Sequence, residues 1–257
     1  MTTSPELGVE RRAGVLWLTI RREERRNALS PAVLAGLTEA LAEAQGERGL
    51  RAIVLTGAGD QAFCAGADLQ SGQSFAFDFS EPTGAFARLL RQARASHLPL
   101  VARVNGACMA GGMGLLAMCD LAVAAPHARF GLPEVKVGLF PAQVLAALQH
   151  LVPRRRLVEL CITGEAIGSA EALEMGLVNH VDADLDGRLD WLLARIADKS
   201  PAAIRRGLYT LKAIETMDFE QSMAFTESQI ALFAQTEDAK EGQAAFREKR
   251  KPEWTGH

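Results

Sequence analysis

The sequence is sparing with features that announce a function. Its four cysteines, at 64, 108, 119 and 161, show no C-x-x-C spacing. A chain of 257 residues needs no disulfide framework, so reduced, buried thiols and a cytoplasmic setting are expected. The five histidines, at 97, 127, 150, 180 and 257, stand apart from one another, which leaves a metal site without support. No stretch has 18 uncharged apolar residues, and Met1 to Arg12 is polar where a secretory signal would be apolar. Neither export nor membrane association is expected. Neither sign of charge dominates: 28 Lys and Arg against 31 Asp and Glu leave a net charge of -3, which offers no global attraction to nucleic acid or to an anionic membrane. G-x-S-x-G, G-x-x-x-x-G-K-[ST] and H-E-x-x-H are all missing.

What is present is an ordinary globular composition, 48% apolar and 23% charged, which excludes extensive disorder and supplies a buried core. Leu16 to Ile20 reads as a strand that leaves the core for a solvated, charged loop from Arg21 to Arg26. Ser30 and Pro31 then open an amphipathic helix carried by Val33, Leu34, Leu37, Leu41 and Ala44. Arg51 to Thr56, Leu98 to Val104 and Leu121 to Ala125 are short, nearly continuous apolar runs, the pattern of strands covered on both faces. Strands interleaved with helices argue for an α/β layer architecture. After about residue 145 the pattern is helical, over Leu148 to Thr163, Ser169 to Leu177, Leu189 to Lys199, Pro201 to Glu215 and Phe219 to Gln235. Caps are expected at Ser169, Gly176 and Ser200-Pro201. The segment Ser71 to Gly84 alternates Phe75, Phe77 and Phe79, which suits either an edge strand or a flap lending aromatic surface to an apolar ligand.

Two stretches, Gly57 to Ala62 and Gly112 to Ala117, match G-x-G-x-x-A. A dinucleotide site also needs a crossover helix of useful length and a following acidic residue, and both surroundings argue against one. Better defined is a pair of turns rich in small residues, Thr56 to Leu69 and Val104 to Leu115, each following a buried strand. Small residues let a ligand approach the peptide N–H groups, and two such donors converging on one point would form an oxyanion hole.

FCAGADL, VNGACMAGGMGLLAMCDLAVA and ARFGLPEVKVGLFPA, in this order and spacing, closely resemble the crotonase superfamily, the enoyl-CoA hydratases and isomerases. Arg26-Asn-Ala-Leu29 and the segment Glu241 to Arg250 extend the likeness over nearly the whole chain, the loop from 71 to 84 excepted. The resemblance implies an α/β spiral of ββα units over 1–195 holding the active site. It also implies a helical region over 196–257 for trimerisation and CoA contact, in a homotrimer or a hexamer built as a dimer of trimers. The implied substrate is an acyl-CoA thioester, with coenzyme A part of the substrate and no separate cofactor. By resemblance its carbonyl oxygen is held by the main-chain N–H groups of Ala67 and Gly111, with Gly66, Gly112 and Gly114 in the flanking turns. CoA would lie against Arg26, Asn27, Ala28 and Leu29 and against Ala65 to Leu69, with Asp68 among them. Phe246 and Lys249, from a neighbouring subunit, would reach its adenine and phosphate end.

Hydration of a conjugated thioester is simplest with two carboxylates, one for water and one for the carbon alpha to the carbonyl. The family pattern offers two glutamates, and here only Glu134 stands, because Gly114 occupies the place of the other. With one acid, migration of a double bond by 1,3-proton transfer is easy to write. Against that, the Gly112 to Leu116 wording and Gly138 to Ala142 are similar to a branch hydrating branched enoyl-CoA of the methylglutaconyl type, whose own carboxylate could complement the missing group. Hydration of a 2-enoyl-CoA is the first expectation, 3-enoyl to 2-enoyl isomerisation the second, and a catalytically silent acyl-CoA-binding protein the third. An aspartate typical of dienoyl-CoA isomerases is replaced by Ala142. Asp68 is expected to cap a helix from Leu69, Asp120 to bond local backbone, and Cys64 and Cys108 to serve as packing residues.

Overall fold

A computed structural model of the chain describes residues 4–68 and 80–257, so Leu69 and the loop phenylalanines Phe75, Phe77 and Phe79 lie outside the described residues. The chain enters as a hairpin, β1 (Leu7–Arg12) pairing antiparallel with β2 (Val15–Ile20), Leu7 opposite Ile20. The first strand was not legible in a segment dominated by charge. It is an edge strand whose Glu10, Arg11 and Arg12 sit toward solvent while Leu7 packs in the core, and charge on an edge is what keeps such a strand from pairing with other chains.

After helix α1 (Pro31–Ala44), N-capped as expected by Ser30 accepting from the Val33 amide, the chain winds in coils that each contribute one strand to two different sheets. The strands β3 (Ala52–Gly57), β5 (Leu100–Val104) and β7 (Leu121–Ala124) line up parallel beside β2. Their short successors β4 (Ala62–Cys64), β6 (Ala107–Met109) and β8 (Arg129–Gly131) line up parallel in a second sheet. Helices α2 (Ala85–Arg94) and α3 (Gly111–Ala117) complete the coils. Later, β9 (Ile167–Gly168) closes the small sheet antiparallel to β8, and β10 (His180–Val181) extends the large one beside β7. These coils form the spiral of α/β units that the resemblance implies.

The large sheet is covered on both faces. Ile53 and Leu55 of β3 point into the main core with Leu16, Leu18, Leu37, Leu41 and Phe63, while Ala52 and Val54 point the other way with Val15, Val101 and Leu189. The second face is roofed by helix α7 (Leu185–Ala197), through Leu189, Leu192, Leu193 and Ile196. A strand with apolar residues on both faces reads as a continuous apolar run, which is why these strands were visible without a helical or alternating period.

Three sequence expectations change. The helix expected over Leu148 to Thr163 starts only at Arg154: α4 (Ala142–Leu148) ends where it was to begin, and α5 (Arg154–Thr163) follows Pro153, which lacks the amide a helix continuing through it would use. Ser169 is the first residue of α6 (Ser169–Glu174) rather than its cap. Gly168 takes the cap position, and the Ser169 hydroxyl donates instead to the Ala125 and Ala128 carbonyls. Ser200 does cap α8 (Pro201–Ile214), accepting from the Ala203 amide, and α8 packs with α9 (Phe219–Ala234) and α10 (Glu237–Glu248). Third, Arg21 to Arg26 is not uniformly solvated, because Arg22 is buried. Among the described residues no helix is long and apolar enough to cross a membrane, and no group of three His, Cys, Asp or Glu is placed to hold a metal. The four thiols are free and buried, and burial pushes that of Cys64 up to about 12.

Candidate active site

The small sheet brings the two glycine turns together. The chain leaving β4 runs beside the segment that precedes α1: the Ala65 amide donates to Arg26 O (3.0 Å), the Leu29 amide to Gly66 O (2.7 Å), and the Asp68 amide to Leu29 O (3.2 Å). This is a parallel bridge between Leu29 and Ala67. In such a bridge Leu29 uses the groups on either side of Ala67, so the Ala67 amide itself faces away from it. No acceptor among the described residues takes the amide of Ala67 or of Gly111. Arg26, Asn27, Ala28 and Leu29 thus lie alongside Ala65, Gly66, Ala67 and Asp68. The Asn27 side chain, 1% exposed, is committed elsewhere: its amide donates to Ala58 O and Ala62 O and its oxygen accepts from the Arg22 amide.

The second turn follows β6. Ala110 holds a positive φ of 50° and its amide donates to Gly131 O (2.9 Å), which turns the chain so that Gly111 opens α3. Amides in the first turn of a helix have no intrahelical acceptor. Contact between the turns is close enough to demand glycine. A methyl group on Gly66, whose φ is +94°, would stand 2.7 Å from Ala110 Cβ and 3.2 Å from the Gly111 nitrogen. One on Gly111 would stand 3.8 Å from the Ala67 nitrogen, and one on Gly112 would overlap the Cys64 carbonyl. Side chains here would wedge apart two strands held at sheet spacing.

Glu134 reaches the same place from the next coil. Gly131 pairs with Met109, and two residues on the chain enters a 3-10 turn, Pro133–Val137, with Glu134 in its first turn. The strand pairing therefore places Glu134 next to the start of α3. Its side chain is half-buried, and its Oε2 is buried with no hydrogen-bond partner among the described residues. Burial raises its carboxyl above the ordinary value, against a smaller opposing effect of its own backbone amide. On its flank, α5 contributes Cys161, whose thiol is raised by burial and then by the Glu134 charge. A buried, unpartnered carboxyl oxygen is what a group awaiting a ligand or a proton looks like.

At Gly114, one turn beyond Gly111, the place of a second acid is filled. The nearest atoms to a Cβ there are Phe86 Cζ at 2.7 Å, Phe86 Cε1 at 3.3 Å and Val144 Cγ2 at 3.3 Å. The other carboxylates are structural. Asp68 accepts from Arg22 Nη2 (2.7 Å) in an ion pair with both side chains about 10% exposed, and Leu69, from which it was expected to cap a helix, lies outside the described residues. Asp120 accepts from the Leu100 amide (2.8 Å) and pairs with Lys212 (3.0 Å). Phe246 and Lys249 lie at the C-terminal end of α10: Phe246 is 85% exposed and Lys249 ends the helix with φ +54°. Sequence reasoning missed Arg22, one arginine in a charged run, and Phe86, in a helix whose periodicity was not singled out. The acid at 68 was the one signal that could have pointed to Arg22.

The chain also matches known proteins over its length. The family model described as enoyl-CoA hydratase/isomerase matches residues 10–257. An enoyl-CoA hydratase of Mycobacterium tuberculosis is 36% identical, over 97% of this chain and 96% of that protein. The 2,3-dehydroadipyl-CoA hydratase of Escherichia coli is 33% identical over 98% and 99%. The crystal structure of an enoyl-CoA hydratase of Mycobacterium smegmatis superposes with a TM-score of 0.90 at 35% identity, covering 98% of this chain and 99% of that one. With the family model spanning nearly every residue and the fold shared end to end, the chain belongs to the enoyl-CoA hydratase/isomerase family of the crotonase superfamily.

Proposed function

We propose that this enzyme hydrates a 2-enoyl-CoA thioester, with Ala67 and Gly111 as oxyanion donors and Glu134 as the single acid–base group. What supports the reading is the meeting of two amide-bearing turns, with Glu134 three residues past the strand that pairs with Met109 and its carboxyl oxygen buried and unpartnered among the described residues. The thioester oxygen accepts from both amides, each worth on the order of 3 kcal/mol to the barrier. Glu134 takes a proton from water as the water oxygen bonds to C3, and the displaced π electrons form the enolate. The protonated Glu134 then returns that proton to C2 and the carbonyl reforms. One carboxyl serving both steps adds hydrogen and hydroxyl to the same face. Names of relatives support hydration.

Isomerisation of a 3-enoyl-CoA is the second reading, favoured by the filled space at Gly114. Glu134 would take a proton from C2 to give a dienolate held by the same two amides, and return it at C4. In either case the CoA end would rest on Arg26 to Leu29 and Ala65 to Leu69, with Phe246 and Lys249 of a neighbouring copy. Exposed Leu211, Phe219, Met223 and Ile230 on α8 and α9 support a trimer or a dimer of trimers. Free, buried thiols support a reducing compartment, the cytoplasm. The test is a panel of straight and branched 2-enoyl and 3-enoyl thioesters in deuterated water. Water addition with deuterium fixed at C2 is expected. A shifted double bond with deuterium selects the isomerase, and neither conversion nor exchange refutes catalysis in favour of silent acyl-CoA binding.

A further inference from the structure

The backbone of α3 does not require glycine at 114: the residue lies inside the helix with no positive φ, and any methyl group there would press on the edge of Phe86. Phe86 comes from α2, Val144 from α4, and both pack on the main core, so the ring and the glycine are a matched large and small pair. Gly114 is three residues from Gly111, hence on the same face of α3 as one proposed oxyanion donor. The three atoms nearest to the missing side chain are all carbon. The place of the second acid is therefore not a polar vacancy for a substrate group to fill. A carboxylate brought there would lose hydration against an aromatic edge and a valine methyl, with no donor among those atoms.

Resting on the enolate mechanism above, we propose that Phe86 is a specificity-determining residue. Its ring makes the acyl pocket apolar at Gly114, so that the enzyme takes thioesters with uncharged acyl chains and rejects those ending in a carboxylate. This reverses the sequence-based suggestion that a distal substrate carboxylate complements Gly114. It also leaves every proton transfer to Glu134, since neither protein nor substrate places a second acid at that point.

The experiment compares 2-pentenoyl-CoA with glutaconyl-CoA, five-carbon chains ending in a methyl group and in a carboxylate, on wild type, Phe86→Leu and Phe86→Ala. Wild type should favour 2-pentenoyl-CoA in kcat/KM by at least about tenfold, as expected when a polar group meets an apolar wall. Phe86→Ala should shrink that ratio by on the order of tenfold by admitting water, with Phe86→Leu between the two. Phe86→Leu keeps most of the packing, so the comparison survives if the alanine variant fails to fold. A wild-type ratio near one, or a ratio unmoved by either substitution, overturns the proposal while leaving the enolate reading intact. If wild type instead converts neither thioester, and exchanges no deuterium into either, the mechanism itself fails and the assignment to Phe86 goes with it.

Discussion

Replacing Gly66 by alanine perturbs the closest approach between the two turns without touching a charge or a side-chain donor. Two costs can be worked from the structure. The backbone at Gly66 has φ +94°, a region that costs an L-residue roughly 1–2 kcal/mol. The new methyl would also meet Ala110 Cβ at 2.7 Å, whereas carbons prefer roughly 3.5–4.0 Å, so the turns must part by about 1 Å. Parting them moves the Ala67 amide relative to the Gly111 amide, and a misplacement of that size costs on the order of 10²-fold in rate. The expected variant folds with stability lower by about 2 kcal/mol, and its kcat on a 2-enoyl-CoA falls about 10²-fold. Gly49→Ala is the control, because nothing lies within 4 Å of its Cβ position, and it should leave kcat and the melting temperature near wild type. Stopped-flow or absorbance assays of thioester hydration, with thermal unfolding alongside, give both quantities. A Gly66→Ala enzyme with kcat within threefold of Gly49→Ala would refute the view that the two amides act together.

Further outcomes are expected at three residues, Glu134, Arg22 and Asp238. Glu134→Gln should retain acyl-CoA affinity while turnover falls on the order of 10²-fold or more. Because burial raises the Glu134 carboxyl, wild-type activity should climb with pH through a midpoint above 4.5, and the fold should lose some stability over the same rise. Both trends should vanish in the glutamine variant, as pH–rate and pH–unfolding profiles would reveal. Arg22→Ala removes the buried ion pair with Asp68 and the bond to Ala28 O, and should lower the midpoint of denaturant unfolding, with a larger fall in kcat than in acyl-CoA affinity. An unchanged midpoint would show that this pair holds nothing. Asp238, 1% exposed, accepts from Ser200 and from the amides of Ala202, Thr255 and Gly256. Burial acts to raise its carboxyl, but these bonds hold it below the ordinary value, so their stabilisation is present at neutral pH and is lost as pH falls through that lowered value. Asp238→Ala should expose the 255–257 tail to carboxypeptidase, and a tail as resistant as in wild type would contradict this anchoring role.

The fold was legible where one principle acted alone. Ser30-Pro31 and Ser200-Pro201 marked helix starts because capping is local, and the runs in β3, β5 and β7 stood out because both faces are buried. Failures came where tertiary contacts decide. The β4, β6, β8 and β9 strands span two or three residues each and exist only because neighbours pair with them. Arg22 looks like its charged neighbours until Asp68, 46 residues away, is placed beside it. For the site, runs of small residues located both turns and the family resemblance marked the departure at Gly114, yet nothing in the sequence indicated that Phe86 lies against it.

The strand pairing β4–β6–β8 lends this architecture an unusual kind of robustness. Its anchoring groups belong to the main chain, carried by consecutive windings of a coil, and so are indifferent to which amino acids decorate them so long as the crossing stays narrow. On the proposed mechanism, acids and walls at the periphery, as at 114, could be exchanged while the two amides stay in place. On the same mechanism a single replacement there would change the route of the proton and leave the crossing of the two turns intact.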